Sequence, residues 1–185
     1  AARVKPILGI EAYVALGDRR DKKPTGIRDG GFHLVLLAEN NRGWDNLVKL
    51  STDSYLQGFY YKPRMDHETL ERFSEGLIAI NGHLGSSIAY HLCKYHEDGS
   101  ENHWQAAVAE AKWHAETFPP NKDGEPCFFI ELQRHDVDEQ IAAGRLNPLL
   151  DRMELKGKEF HEKVREGFLE QAKTWSDRYC VIDAS

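Results

Sequence analysis

Short runs of apolar, β-branched and aromatic residues recur along this chain, each bounded by turn residues, and they predict strands. The first covers residues 7–16 and leads into a polar loop with glycine and proline over residues 17–31. Others cover residues 33–38, 77–80, 127–132 and 179–182. The runs are mostly continuous rather than alternating, the pattern of strands covered on both faces. Between them lie apolar stripes at three-to-four spacing, which predict helices with one face on a core. Trp44, Leu47, Val48, Ser51 and Tyr55 make the first stripe. Trp104, Ala107, Val108, Ala111, Ala115 and Phe118 make the second, which Pro119-Pro120 ends. Phe160, Val164, Phe168, Ala172 and Trp175 make a third. Strands alternating with helices argue for an α/β sheet or barrel with its working groups at strand ends. No internal repeat or low-complexity linker marks a domain boundary.

Length and charge narrow this picture. With 185 residues, 41% of them apolar, the chain suffices for one domain with a sizeable core. Its net charge of -6, with both signs interspersed, lacks the basic face of a free-standing nucleic-acid binder. Cys93, Cys127 and Cys180 are odd in number and widely spaced, which suggests reduced thiols in a cytoplasmic protein rather than disulfides or a zinc knuckle. No apolar run reaches membrane-spanning length, so no membrane partner is expected. Both ends fall in or beside a predicted strand, and the chain reads as a fragment.

The familiar chemical motifs are missing: there is no GxxxxGK(S/T) phosphate loop, no GxGxxG after a strand, no HExxH and no GxSxG. What remains is a scatter of histidines and carboxylates on or beside the predicted strands: Glu11, His33, His83, Glu131 and Asp183. A carboxylate in an apolar strand is costly unless paired or metal-bound. Several converging at one end of a sheet would suit divalent ions that activate water beside a phosphate; local hydrogen bonding is the plainer reading of each. His67, His91, His96, His103, His114 and His161 lie in polar or helical stretches and are expected to face solvent. Residues 58–64, Gly-Phe-Tyr-Tyr-Lys-Pro-Arg, mix aromatics with the cations Lys62 and Arg64. Such a mix suits clamping a nucleotide, or else a rigid proline-containing loop packed on a neighbouring helix. Arg134 and His135, after the fourth strand, suit either a phosphate contact or a structural hydrogen-bond network.

Several segments, in order, resemble the PHP (polymerase and histidinol phosphatase) domain of bacterial DNA polymerase III alpha subunits. KPILGIEAYV at residues 5–14 is similar to a KPIxGxEAYV segment of that family. HLVLLA at 33–38 with NLVKLS at 46–51 resembles its HLxLLA and NLxKLS stretches. SEGLIA at 74–79, GHL at 82–84 and the FIELQRH run at 129–135 resemble further segments, and GFYYKPRMD at 58–66 makes the resemblance specific.

That resemblance implies an α/β fold of the PHP (β/α)7 barrel type, present here incompletely, with its central and C-terminal strands and surrounding helices. The mouth of such a barrel holds up to three metals, often zinc or manganese. By position, Glu11 matches the family's metal-binding glutamate and His33 its ligand histidine. His83 stands where relatives carry Cys or His, and Asp183 matches the aspartate of a terminal Asp-x-His pair, with Ser185 in place of the histidine. Asp136 replaces a usual glycine. A helical insertion is expected over residues 138–177, and the opening His-x-His strand of the family would precede residue 1.

The implied parent is a replicative polymerase, cytoplasmic, that extends DNA from deoxynucleoside triphosphates with magnesium and works beside other replicase subunits. Its polymerisation residues would lie outside this chain. The PHP part would be a metal-dependent 3′–5′ exonuclease or a structural support. Alternatives are a free-standing PHP phosphoesterase resembling histidinol phosphatases, and a non-catalytic interaction module.

Overall fold

The computed structural model describes residues 6–27, 30–82 and 85–131. The chain divides into two compact units, residues 1–133 and 134–185, and all described residues belong to the first. Their order is β1 (Gly9–Val14), β2 (Phe32–Ala38), α1 (Asn41–Leu56), β3 (Arg64–Met65), α2 (His67–Phe73), β4 (Leu77–Asn81), α3 (Ser87–Asp98), α4 (Glu101–Thr117) and β5 (Phe128–Ile130). The strands form one mixed sheet in the order β3-β1-β2-β4-β5. Strand β2 runs antiparallel to both β1 and β4, whereas β3 pairs parallel with β1 and β5 parallel with β4. This is a mixed α/β fold whose sheet is open among the described residues, so the expected barrel is not closed there.

Four of the predicted strands are present, at boundaries shifted by one or two residues. The fifth, at residues 179–182, and the expected insertion at 138–177 lie outside the described residues. In place of two-sided cover, the strands alternate. Ala12, Val14, Phe32, Leu34, Leu36, Leu77 and Ala79 are buried and form the core with Leu47, Leu50, Met65, Leu70 and Phe118. Glu11, Tyr13, His33 and Val35 take the intervening positions and are partly or wholly exposed. Period-2 alternation of this kind gives the sheet two different faces.

Of the three expected helices the first two form, as α1 and α4, and the third, at residues 160–175, lies outside the described residues; α1 turns different residues inward. In α1 the buried stripe is Gly43, Asn46, Leu47, Leu50 and Ser54, while Trp44 and Tyr55 remain 46% and 60% exposed. The reason is a polar seam along the first turns. The Asn46 amide donates to the Glu75 carbonyl at 2.8 Å, and the Glu39 N–H donates to the Gly76 carbonyl at 3.0 Å. Satisfied hydrogen bonds, rather than apolar surface, set the inward face there. Helix α2, which the apolar pattern does not announce, begins with a reciprocal cap: Asp66 accepts from the Thr69 N–H and the Thr69 hydroxyl meets the Asp66 N–H.

The 58–66 segment takes the structural of its two readings at Arg64, which is 1% exposed. Its guanidinium donates to the carbonyls of Gly58 at 3.2 Å and of Arg19 and Asp21 at 2.8 Å each. Next to it, Arg19 is paired with Asp53 at 2.6 Å and with Asp66 at 3.0 Å. The loop is therefore a buried ionic knot that ties α1, β3 and α2 to the chain after β1.

Candidate metal centre

An all-parallel sheet would put residues at strand starts and strand ends on opposite sides of the molecule. Because β2 is antiparallel to its neighbours, His33, near its start, lies beside the C-terminal half of β1, with Tyr13 as its register partner. Glu11 is one pleat back on the same face, opposite Val35. The outcome is a direct contact: the His33 ring Nδ1 stands 2.6 Å from Glu11 Oε1. With the carboxylate accepting, Nδ1 carries the proton and Nε2 is the lone-pair nitrogen. The Glu11 side chain is 56% exposed and that of His33 14%, so the carboxylate is open to solvent while the imidazole is largely covered.

Two further groups extend this face. The Tyr13 ring meets His33 edge-on with centroids 5.0 Å apart. Lys62 lies over the Tyr13 ring with its Nζ 5.2 Å from the centroid. Lys62 reaches that place because Tyr60 N–H donates to the Lys62 carbonyl at 3.0 Å, a tight turn in which Tyr61 takes a positive φ of 60°. A carboxylate, an imidazole, a phenol and an ammonium thus run across one open face. The donor set of Glu11 and His33, oxygen plus nitrogen and mutually adjacent, fits zinc or manganese. Gly85 accepts from the His33 N–H at 3.0 Å, which stitches the segment after β4 to the start of β2. His83, Asp183, Arg134 and His135 lie outside the described residues. Among the described residues no set of three histidines, cysteines or carboxylates stands together in ligand geometry.

A cavity that His33 also lines holds a further polar cluster, whose histidines His67, His91 and His114 the pattern analysis placed in solvent. His114 is 2% exposed. Its Nδ1 donates to the Glu110 carbonyl at 2.7 Å, and Asn81 Nδ2 lies 3.4 Å from its Nε2. His67 Nε2 stands 3.6 Å from Glu110 Oε1 and stacks on Trp113 at 3.6 Å between centroids. Together with Ser87 and His91 these groups line a cavity of about 40 Å³ between the sheet and the helices. Two histidines and a carboxylate inside a helix stripe give no apolar signal, which is why the sequence pattern passes over them.

These groups make stability depend on acid. Burial pushes the His114 imidazole below its ordinary value, more strongly than the Glu110 carbonyl and carboxylate raise it. Burial likewise lowers His91. Burial raises the Glu110 carboxyl, but His67, Ser87 and His114 outweigh it and hold it below the ordinary range. In each case the unfolded chain binds the proton more readily. Stability is then full above about pH 6.5, the unfolded histidine value, and falls as pH drops towards the folded values. The denaturant midpoint should decline between pH 7 and pH 5, and a His114→Gln variant should show a flatter decline; equal slopes would sink this account.

Among the described residues no helix is long and apolar enough to cross a membrane. Residues 1–135 match the PHP domain family. Curated relatives described as DNA polymerase III subunit alpha are similar over most of the chain. The protein of Deinococcus radiodurans is 41% identical over 150 residues, 80% of this chain. That of Thermus aquaticus is 43% identical over 145 residues, 76% of this chain, and that of Borreliella burgdorferi 39% over 139 residues, 75% of it. The chain spans only 10% to 11% of the length of these three relatives. With a family match over residues 1–135, most of its length, this chain belongs to the PHP domain family.

Proposed function

We propose that this chain is the PHP portion of a bacterial replicative DNA polymerase III alpha subunit, and that its open sheet face holds divalent cations for 3′–5′ removal of nucleotides from a primer end. The observation that carries the reading is the 2.6 Å contact between Glu11 and His33 on one sheet face. The names of the relatives support a DNA polymerase as the parent protein; on this reading it would extend DNA from deoxynucleoside triphosphates with magnesium, in the cytoplasm and beside other replicase subunits. The names also favour this reading over a free-standing phosphoesterase. Glu11 and His33 would hold the cations in company with His83 and Asp183, and zinc or manganese suits the set. Such a cation lowers the pKa of water and offsets charge on the phosphate.

The chain's own residues do the rest. Glu11, by accepting the Nδ1 proton of His33, fixes the tautomer and aims Nε2 as a donor; standing on the far side of the ring from Nε2, it would itself meet a different cation of the set. Lys62, held over Tyr13, offers a positive charge to a non-bridging phosphate oxygen. The hydrolysis adds water across the terminal phosphodiester. The bond from phosphorus to the 3′ oxygen breaks, so the released nucleotide keeps its 5′ phosphate and the primer keeps a 3′ hydroxyl.

The test is elemental analysis of the full-length protein beside a Glu11→Ala, His33→Ala variant, with primer shortening measured on both in manganese. Bound metal should be present in the first and lost in the second, with affinity falling by more than about 100-fold. Primer extension should persist in both. Equal metal content in the two proteins would overturn the assignment of these ligands. No metal in either would leave the PHP portion as a structural support of the polymerase.

A further inference from the structure

Helices α3 and α4 are joined by Gly99 and Ser100 and lie along one another. Each turns one histidine into their seam. His91 Nδ1 and His103 Nδ1 stand 3.3 Å apart, with ring centroids separated by 5.6 Å. Two nitrogens each about 2.0 Å from a tetrahedral cation lie about 3.3 Å from one another, so the pair already has the bite of a chelate. We propose that His91 and His103 form a cross-helix binding site for one transition-metal cation of the zinc class, on the α3–α4 pair at the border of the cavity that His33 also lines.

Three observations beyond the spacing support the site. The far nitrogen of His103, Nε2, lies 3.8 Å from Asp98 Oδ2. A carboxylate on that side favours the proton on Nε2 and leaves the Nδ1 lone pair turned to the seam, the arrangement that raises the basicity of a ligating imidazole. Secondly, His91 borders the cavity that also receives Glu110, whose buried Oε2 has no hydrogen-bond partner. A fixed negative charge there favours a cation at His91 and does so without a competing lysine or arginine in the cavity lining. Thirdly, both rings are partly exposed, which gives a cation and its remaining waters access.

Binding needs little rearrangement. Without metal, a hydrogen bond between the two Nδ1 atoms requires one of them to donate. With Asp98 beside His103, the donor is His91. On binding, the His91 proton moves through solvent from Nδ1 to Nε2 of the same ring, and both Nδ1 lone pairs face the cation. No net proton is released and no backbone movement is required. Two neutral imidazoles select zinc, copper or nickel over magnesium and calcium, which demand oxygen.

The experiment uses the full-length protein with Glu11→Ala and His33→Ala, so that the sheet-face site is silent and its failure is scored separately. Zinc is counted by equilibrium dialysis before and after adding His103→Gln or His91→Gln. One zinc per chain should be lost, or its affinity should fall by about tenfold or more. Asp98→Asn should weaken binding without removing it, His103→Cys should restore it, and excess magnesium should not displace the zinc. His103 is partly exposed and glutamine can keep a hydrogen bond to His91, so the metal-free melting temperature of His103→Gln should match its parent, while added zinc should raise only the parent's. An unchanged zinc count in both glutamine variants would overturn the proposal, as would ready displacement by magnesium.

Discussion

Replacing Arg64 by methionine should cost roughly 2–5 kcal/mol of stability, the range for depriving three carbonyls of a charged hydrogen-bond donor. Methionine fills much of the same volume and supplies no donor. The carbonyls of Gly58 and Arg19 would lose their guanidinium hydrogen bonds in a buried setting, and that of Asp21 in a partly buried one. The loss does not stop at those atoms. Arg19 meets Asp53 and Asp66 in the same knot, and Asp66 caps α2. Lysine in place of Arg64 would keep the charge but lacks the planar fork that spans three carbonyls, so it should recover only part of the loss. The check is a urea melt of each variant: the midpoint should fall while the slope stays constant. A loss under about 1 kcal/mol for methionine would mean that the knot is not what holds the loop. A metal measurement adds a functional reading. If the loop slips, Lys62 leaves its place over Tyr13, while the Glu11–His33 pair, built on β1 and β2, should still take up metal.

The same network has an acid limit. Burial pushes the Asp66 carboxyl up, but the Arg19 and Thr69 N–H groups and the Arg19 guanidinium hold it below the ordinary range. Its contribution is therefore present above the unfolded carboxylate value and lost as pH falls through the lower, folded one. This adds to the histidine effect at milder pH, so unfolding should proceed in an ordered way as acid increases.

How far the sequence alone reaches can be judged from particular residues. The strands of residues 33–38 and 77–80 are legible because β-branched and leucine runs between turn residues have few other solutions. Glu11 and His33 are legible as site residues only through resemblance to a family, since their meeting depends on β2 being antiparallel, and no local pattern encodes strand direction. Asn46 and His114 are misleading as polar residues, because each is buried and reaches a group distant in sequence, Glu75 and Asn81 in turn. Trp44 and Tyr55 mislead in the opposite sense: they are apolar and on one helical face, yet the helix presents Gly43 and Asn46 inward instead. Periodicity registers hydrophobicity, and this seam is closed by backbone approach and polar contacts.

That close approach makes the second large prediction. A methyl group at Gly43 would lie 1.8 Å from the Gly76 carbonyl oxygen and 2.7 Å from its carbon. Both are backbone atoms, so no side chain can swing away to make room. Gly76 is itself fixed, since it holds a φ of +75° and its carbonyl accepts from the Glu39 N–H. Alanine ordinarily favours a helix over glycine by about 1 kcal/mol, and at an open position Gly43→Ala would stabilise α1. Here the clash should reverse that sign and exceed it, at the upper end of the roughly 1–3 kcal/mol seen for overpacking or beyond. The first turn of α1 would have to lift from the turn before β4, breaking the Asn46 bond to Glu75 and loosening β4 beside β2. A Tm lower by roughly 10 °C is the expected reading, with Gly99→Ala as a contrast. At Gly99 no atom lies within 4 Å of the added carbon, and only the cost of its positive φ applies. A Gly43→Ala variant as stable as the parent would show that the crossing of α1 over this turn is looser than the packing indicates, and that the register of β4 against β2 is held by the strands alone.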